Sequence, residues 1–168
     1  GGVAAGVMLL IFRPFKVGDF VNTAGEAGTV DEIGLFPVTL NTPDNRRLIV
    51  PNSSLFGRNL ENVTHHATRR VDVAVGTDYS ADLDATRAVL EKAAASVEGV
   101  MTDPAPVIYL SELGGSSIDW AVRSWAKTED YWAVREGVTR AVKMHLDEAG
   151  IGIPFPQMDV HMDSPQAN

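Results

Sequence analysis

The side chains of this sequence that could do chemistry are a histidine pair, a group of carboxylates and a serine pair. His65 and His66 are adjacent, and neighbours on a strand point to opposite faces, so the two rings cannot easily share a metal ion. Asp82, Asp84 and Glu91 lie on or beside one predicted helix, where capping and solvation account for them. These residues therefore predict neither a metal site nor an acid–base pair.

The serine pair, Ser116-Ser117, follows two glycines, and no histidine or acid stands at a spacing diagnostic of a catalytic triad. The pattern indicates a structural hairpin turn. The sequence also contains no G-x-G-x-x-G, Walker loop, H-E-x-x-H or G-x-S-x-G motif. Because it has no cysteine, disulfides, thiol catalysis and thiolate zinc sites are excluded. We expect a protein that is not an enzyme, with no catalytic residue and no cofactor.

Three tryptophans, Trp120, Trp125 and Trp132, cluster around a predicted strand and the helix after it. They could form a stacking platform for a base or a sugar. Packing in a core or a subunit interface is the favoured interpretation, because tryptophan is prominent in both kinds of buried surface. The net charge of −8 argues against nucleic-acid binding, which depends on clustered Lys and Arg.

The chain of 168 residues is long enough for one medium domain or two small ones, and 45% hydrophobic and 21% charged residues are ordinary globular values. Its charge is uneven: residues 1–68 carry 5 basic and 6 acidic groups, whereas residues 69–168 carry 9 and 16. Near Arg69-Arg70 the pattern changes from short strands to alternating strands and long helices. We therefore predict two small domains joined there.

The chain opens on an uncharged apolar stretch from Val3 to Phe12, which ends at Arg13-Pro14. The stretch cannot cross a bilayer, which needs about 20 residues in a helix, and no basic region or A-x-A site marks a signal peptide. An ordinary buried helix would explain it. Because the chain begins with Gly1 rather than Met, we favour the end of a membrane helix whose remainder precedes this fragment.

Two successive patterns predict the fold. From Val17 to Thr64, about five short strands separated by turn residues point to a small curved barrel of the SH3-like or Sm-like kind. From Val71 onwards the order is β-α-β-β-α, with Asp82 as a helix N-cap and Gly150 ending the last helix. That order is typical of a ferredoxin-like α+β sandwich.

The C-terminal tail reads as extended chain. Each proline of Pro154-Phe155-Pro156 disfavours a helix at the residue before it. The apolar residues of the segment that follows alternate with polar ones, as on a strand with one apolar face: Met158, Asp159, Val160, His161 and Met162. This strand could complete the sheet of its own domain, or it could leave the domain and pair with copies from other subunits.

Four segments closely resemble, in the same order, motifs of the small-conductance mechanosensitive channel (MscS) family. The first runs from Ala4-Ala5-Gly6 through Phe12-Arg13-Pro14-Phe15 to Asp19, and resembles the end of the pore-lining helix and the entry into the β domain. The others are the Pro51-Asn52-Ser53 turn, the hairpin residues 113–118 and the C-terminal residues 150–160. The resemblance runs essentially from end to end.

This resemblance agrees with the pattern of strands and helices and implies an α+β fold: a small Sm-like (SH3-like) β-barrel, a ferredoxin-like βαββα sandwich, and a C-terminal strand for an intersubunit β-barrel. It implies the end of a pore-lining membrane helix and elbow at residues 1–16, an Sm-like β domain at 17–67, an α/β domain at 68–157, and a barrel strand and tail at 158–168. Residues Met158, Asp159, Val160, His161 and Met162 would form the intersubunit strand.

The resemblance also implies the setting and the function. Family members are homo-oligomers, usually heptamers, held in the lipid bilayer by upstream helices, so we expect the cell inner (cytoplasmic) membrane with this segment on its cytoplasmic side. The function would be that of a tension-gated channel that releases ions and small osmolytes on hypo-osmotic shock. We hypothesise a gating elbow at Phe12, Arg13, Pro14 and Phe15, in which the two phenylalanines anchor the helix against the β domain.

Other functions stay open at this point. A membrane-attached oligomeric scaffold, or a ligand-gated pore without tension gating, would share the fold and the upstream helices. An Sm-like nucleic-acid-binding module is opposed by the negative charge. Within the channel interpretation, acidic residues of the second domain that line side portals would concentrate cations.

Overall fold

The computed structural model describes residues 1–23 and 25–166 of the chain. The chain divides into two compact units, Gly1–Ala67 and Thr68–Asn168. No helix of the described residues is both long enough and apolar enough to span a bilayer.

The first unit is a five-stranded antiparallel sheet with two helices. Its elements are α1 (Gly2–Phe12), β1 (Phe20–Thr23), β2 (Glu26–Ile33), β3 (Pro37–Asn41), β4 (Arg47–Pro51), α2 (Asn52–Leu55) and β5 (Leu60–Asn62). The strand order is β4-β3-β2-β1-β5. Alternate strand residues point inwards, and Val21, Val30, Val38 and Leu40 are fully buried, as expected for strands with one face on a core.

The predicted barrel does not close in this monomer. Strand β5 has three residues and pairs with β1 alone, while β4 pairs with β3 alone, so both remain edge strands within the described residues. A shift of register between Val30 and Glu32 interrupts the β2–β3 ladder, as a bulge does. The α+β class with antiparallel sheets is confirmed, but the first unit contains an open sheet.

The second unit has the predicted β-α-β-β-α order. Its elements are β6 (Thr68–Thr77), α3 (Leu83–Ala95), β7 (Val107–Leu113), β8 (Ile118–Lys127), a short 3-10 turn at Thr128–Asp130 and α4 (Tyr131–Glu148). The sheet order is β6-β8-β7, with β8 antiparallel to both neighbours. Strands β6 and β7 therefore run parallel to each other on either side of β8, which is the split β-α-β arrangement of a ferredoxin-like fold.

Local signals in the sequence set the ends of the two long helices. The Asp82 carboxylate accepts a hydrogen bond from the Ala85 N–H at 2.8 Å, which confirms the predicted N-cap of α3. Gly150, with φ of 71°, follows α4 in the left-handed conformation that commonly ends a helix. Each of these helix boundaries is therefore marked by one residue whose type already indicates it in the sequence.

The core of the second unit lies between one sheet face and the two long helices. Every second residue of β8 is buried, and Trp120 is the largest fully buried side chain there. Its indole Nε1 donates to the Thr77 hydroxyl at 3.0 Å, so the buried polar atom is satisfied. Trp120 therefore packs in the core, whereas Trp125 is half-buried and Trp132 is 73% exposed.

The tail does not complete the sheet of its own unit. Residues 151–166 form no helix or strand, and Met158, Val160 and Met162 are exposed. The first of the two alternatives for the predicted strand is therefore wrong, because β6-β8-β7 is a three-stranded sheet without it. The last two residues of the predicted tail, 167 and 168, lie outside the described residues.

Two buried hydroxyls of the second unit predict opposite effects on stability. Ser124 is fully buried and its Oγ has no hydrogen-bond partner among the described residues, so Ser124→Ala should leave the free energy of unfolding unchanged or raise it. Thr77→Val leaves the Trp120 indole N–H buried and unpaired, so it should cost about 1–3 kcal/mol. Urea unfolding of both variants checks the pair, and a larger loss for Ser124→Ala would contradict this account.

Candidate functional site

The end of α1 and the turn after it form the candidate site, which we call the elbow (Phe12–Phe15). Arg13 adopts a left-handed conformation with φ of 45°, and its N–H donates to the Leu9 carbonyl at 3.0 Å. Its guanidinium Nε donates to the Leu10 carbonyl at 3.1 Å. Pro14 follows, and it cannot continue a helix because it lacks an N–H and crowds the preceding turn. The helix therefore stops at a defined residue and the chain turns towards the sheet.

The two phenylalanines of the elbow occupy different environments. Phe15 is 3% exposed and belongs to the apolar cluster of the sheet, with Leu9, Val21 and Val30. Phe12 is 69% exposed. Of the two side chains hypothesised to anchor the elbow, Phe15 is therefore buried against the sheet, whereas Phe12 is exposed.

A buried carboxylate joins the elbow to β5, one of the two edge strands of the sheet. Asp19 is 7% exposed, and its Oδ2 accepts from the Lys16 N–H and from Asn62 Nδ2, both at 3.0 Å. Its Oδ1 accepts from the Thr64 hydroxyl at 3.3 Å. Asn62 Nδ2 also donates to the Pro14 carbonyl at 3.2 Å. We call Asp19, Asn62 and Thr64 the Asp19 network; it joins the exit of α1 to the end of β5.

Hydrogen bonding determines the charge state of Asp19. Burial by itself would raise the pKa of its carboxyl, but the hydrogen bonds from the Lys16 N–H, Asn62 and Thr64, together with the positive charge of Lys16, lower the pKa below its usual value. The network is therefore built around an ionised carboxylate. No sequence motif marks this network, because Asn62 and Thr64 lie 43 and 45 positions from Asp19, too far apart for a recognisable spacing.

The body of α1 lies against the loop between β2 and β3. Gly6 is buried there, and a Cβ on this residue would overlap the Leu35 carbonyl oxygen and lie 2.7 Å from Asn52 Nδ2. Asn52 is fully buried, and its Nδ2 donates to the Gly34 carbonyl at 3.0 Å, while its N–H donates to the Phe36 carbonyl at 2.7 Å. The Asn of the Pro51-Asn52-Ser53 turn thus holds the loop that receives the helix.

The remaining candidates of the sequence fall elsewhere. The His65 and His66 rings meet edge to face with centroids 4.9 Å apart, and no group of three or more potential His, Asp or Glu ligands converges on one point within the described residues. Ser117 donates to the Asp119 carboxylate at 2.6 Å inside its hairpin. The residues Met158, Asp159, Val160, His161 and Met162 belong to the second unit, whereas the elbow belongs to the first.

Replacing Asp19 tests the network. Asp19→Asn removes the charge that accepts three hydrogen bonds, so the first unit should lose about 1–3 kcal/mol of unfolding free energy at pH 7. Because the folded-state pKa is below the unfolded value of about 3.9, the stabilisation is complete above that pH and disappears as the pH falls through the folded pKa.

The difference between wild type and Asp19→Asn should therefore shrink below about pH 4, as urea unfolding at several pH values would measure. Glu61→Gln, on the exposed side of β5, is the matched control and should have little effect. A pH-independent difference would show that the charge of Asp19 does not contribute.

Substitutions of the two glycines of α1 test how closely the helix packs on the loop between β2 and β3. Ala has the higher helix propensity, so Gly2→Ala should favour α1, and its Cβ would meet Phe36 at an ordinary 3.8 Å. Gly6→Ala gains propensity inside the helix but must push the helix away from the Leu35 carbonyl. Amide hydrogen exchange in α1 should therefore become faster for Gly6→Ala alone. Equal protection in both variants would contradict close packing at Gly6.

Comparison with known proteins places both units in one family. Residues 1–65 match the family model described as mechanosensitive ion channel, beta-domain, and residues 71–153 match mechanosensitive ion channel MscS, C-terminal. The small-conductance mechanosensitive channel of Edwardsiella ictaluri is 42% identical over 159 residues, covering 95% of this chain and 56% of the relative. An MscS family protein of Synechocystis is 40% identical over 98% of this chain and 55% of its own length.

Solved structures show the same fold. The crystal structure of Helicobacter pylori MscS in its closed state superposes with a TM-score of 0.91 at 29% identity, covering 98% of this chain and 65% of that one. Arabidopsis thaliana MSL1, at 21% identity and a TM-score of 0.78, shares the fold. The chain spans just over half the length of the Edwardsiella and Synechocystis relatives. With both units matched in order, the resemblance inferred from motifs is confirmed, and the chain belongs to the MscS family of mechanosensitive channels.

Proposed function

We propose that this chain is the cytoplasmic part of a tension-gated ion channel that releases ions and small osmolytes on hypo-osmotic shock. The observation that carries the proposal is the attachment of α1 to its sheet through Gly6, Phe15 and the Asp19 network. A helix held in this way transmits its displacement to the sheet. Membership of a mechanosensitive channel family supplies the physiological setting.

The exposed face of α1 supports its continuation into a membrane. Residues 1–12 contain no charge, and the exposed side chains of the helix include Val3, Val7, Leu10 and Ile11. We propose that helices upstream of this segment hold the protein in the inner membrane and that α1 packs against its copies around a pore. Membrane tension favours a state of larger membrane area in proportion to the area difference, so it shifts the population towards the open pore.

The exposed C-terminal residues support a homo-oligomer. Met158, Val160 and Met162 alternate with Asp159 and His161, and the three apolar side chains are all exposed. We propose that copies of this segment pair as strands of an intersubunit β-barrel in a heptamer. Closure of such a barrel satisfies the backbone groups that an isolated strand would leave unpaired.

The elbow is the proposed point of force transfer in each subunit. Phe15 resists withdrawal because it would lose its apolar surroundings, and the Asp19 network resists rotation because its hydrogen bonds are directional. Both contacts lie next to Pro14, where the helical hydrogen bonds end. Movement of α1 therefore acts on the sheet directly, without a flexible linker between them.

Patch-clamp recording of the full-length protein tests the proposal. In membranes that lack other mechanosensitive channels, stepped suction should open a conductance that is absent without tension. Silence up to the lytic limit, with the protein inserted and oligomeric, would contradict tension gating and favour a scaffold or a ligand-gated pore.

A pair of elbow variants tests the force path. Phe15→Ala removes a buried side chain, so it should alter the opening tension or the rate of inactivation, and the truncation should cost about 3–5 kcal/mol of stability. Phe12→Ala removes the exposed phenylalanine of the elbow, so it should cost less stability and shows whether burial against the sheet is what matters for gating. Recordings in which both variants gate like wild type, at equal expression, would remove the elbow from the mechanism.

A further inference from the structure

The turn between β7 and β8 and the C-terminal segment touch each other in the second unit. The Ser116 hydroxyl oxygen accepts a hydrogen bond from the Gln157 N–H at 3.0 Å, across 41 positions of sequence. Both partners lie within motifs of the family resemblance, the hairpin at residues 113–118 and the C-terminal signature at residues 150–160. The structure thus brings together two motifs that are distant in the sequence.

The start of the C-terminal segment is also held. The Ile151 N–H donates to the Leu146 carbonyl at 2.9 Å, and the Gly152 carbonyl accepts from the Asp78 N–H at 3.0 Å. A Cβ at Gly152 would overlap the Asp78 carboxylate, which would then have to move aside. The segment is therefore attached at two places, near Gly152 and at Gln157.

The turn that receives Gln157 is itself held by several hydrogen bonds. The Gly114 N–H donates to the Ser117 carbonyl at 2.8 Å, and the Ser117 hydroxyl donates to the Asp119 carboxylate at 2.6 Å. The Tyr79 hydroxyl donates to the Gly114 carbonyl from the neighbouring loop. A Cβ at Gly76 would lie 2.6 Å from Ser117 Oγ, so the turn is packed closely on β6. The Ser116 hydroxyl is consequently presented from a fixed position.

Few backbone N–H groups of the C-terminal segment are available to donate to the Ser116 hydroxyl. Pro154 and Pro156 have no N–H, so within residues 154–157 the backbone can donate only from Phe155 and Gln157. The Gln157 side chain donates from Nε2 to the Phe155 carbonyl at 2.6 Å, which folds the segment locally. Beyond Gln157 the side chains of Met158, Val160 and Met162 are exposed.

We propose that the Gly114–Ser117 turn is a dock for the C-terminal segment and that Ser116 is the positioning residue of the strand at Met158–Met162. The dock fixes the point and direction at which that strand leaves its unit. Its consequence for assembly rests on the proposed function, in which the strands of several copies pair. A strand released from a fixed position loses less conformational freedom on pairing than one at the end of a mobile tail.

Two serines provide a matched test in the full-length protein. Ser116→Ala removes the acceptor for Gln157, whereas Ser111→Ala removes an exposed hydroxyl of β7 outside the dock and leaves the acceptor in place. Hydrogen exchange of a peptide spanning residues 153–160 should become about ten-fold faster at Gln157 in Ser116→Ala alone. Ser116→Thr keeps the hydroxyl and should restore slow exchange. Native mass spectrometry should show easier subunit dissociation for Ser116→Ala than for Ser111→Ala.

Each outcome decides a separate claim. Unchanged exchange at Gln157 in Ser116→Ala would overturn the dock, and faster exchange with unchanged dissociation would overturn its role in positioning the strand. A wild-type protein that assembles and shows both expected effects, yet gives no tension-activated current, would leave the dock standing and contradict the proposed function. A wild-type protein that is monomeric would contradict the proposed oligomer and, with it, the positioning role.

Discussion

The first unit depends on one buried ionised carboxylate. Asp19 sits where the chain enters the sheet, and it collects donors from the turn after α1 and from the end of β5. A buried charge without these donors would be costly, so each donor helps to keep the carboxylate ionised. This makes the direction of α1 a property of the folded sheet. Helix propensity alone would leave that direction undetermined.

Apolar packing and close backbone approach complete the attachment. Phe15 lies in the same cluster as Val21 and Val30, and Gly6 allows the helix backbone to reach the Leu35 carbonyl. The three kinds of contact differ in the movements they resist. Apolar burial has no preferred direction, hydrogen bonds are directional, and steric contact resists only closer approach. Together they hold α1 and the turn after it against the sheet and its β2–β3 loop.

In the second unit, the central strand β8 contacts both neighbouring strands and both long helices. Strand β8 pairs along its length with β6 and β7, and its inward residues meet both long helices. The turn at its start holds the C-terminal segment, so the same strand that fills the core also positions the tail. The exposed residues after Gln157 are therefore attached to the most deeply buried element of their unit.

The sequence by itself determined the elements and the family. Alternation predicted the strands, helical spacing and the caps at Asp82 and Gly150 predicted the long helices, and their order predicted the βαββα unit, because these signals act between near neighbours. Only the tertiary structure decided the open sheet, the burial of Phe15 but not Phe12, the Asp19 network and the bond between Ser116 and Gln157. The pairing of β1 with β5, the Asp19 network and the Ser116–Gln157 bond join residues about 40 or more positions apart. The burial of Phe15 depends on which side of the turn after α1 faces the core. No local pattern encodes such pairings, since their energies arise only when the whole chain has brought the partners together.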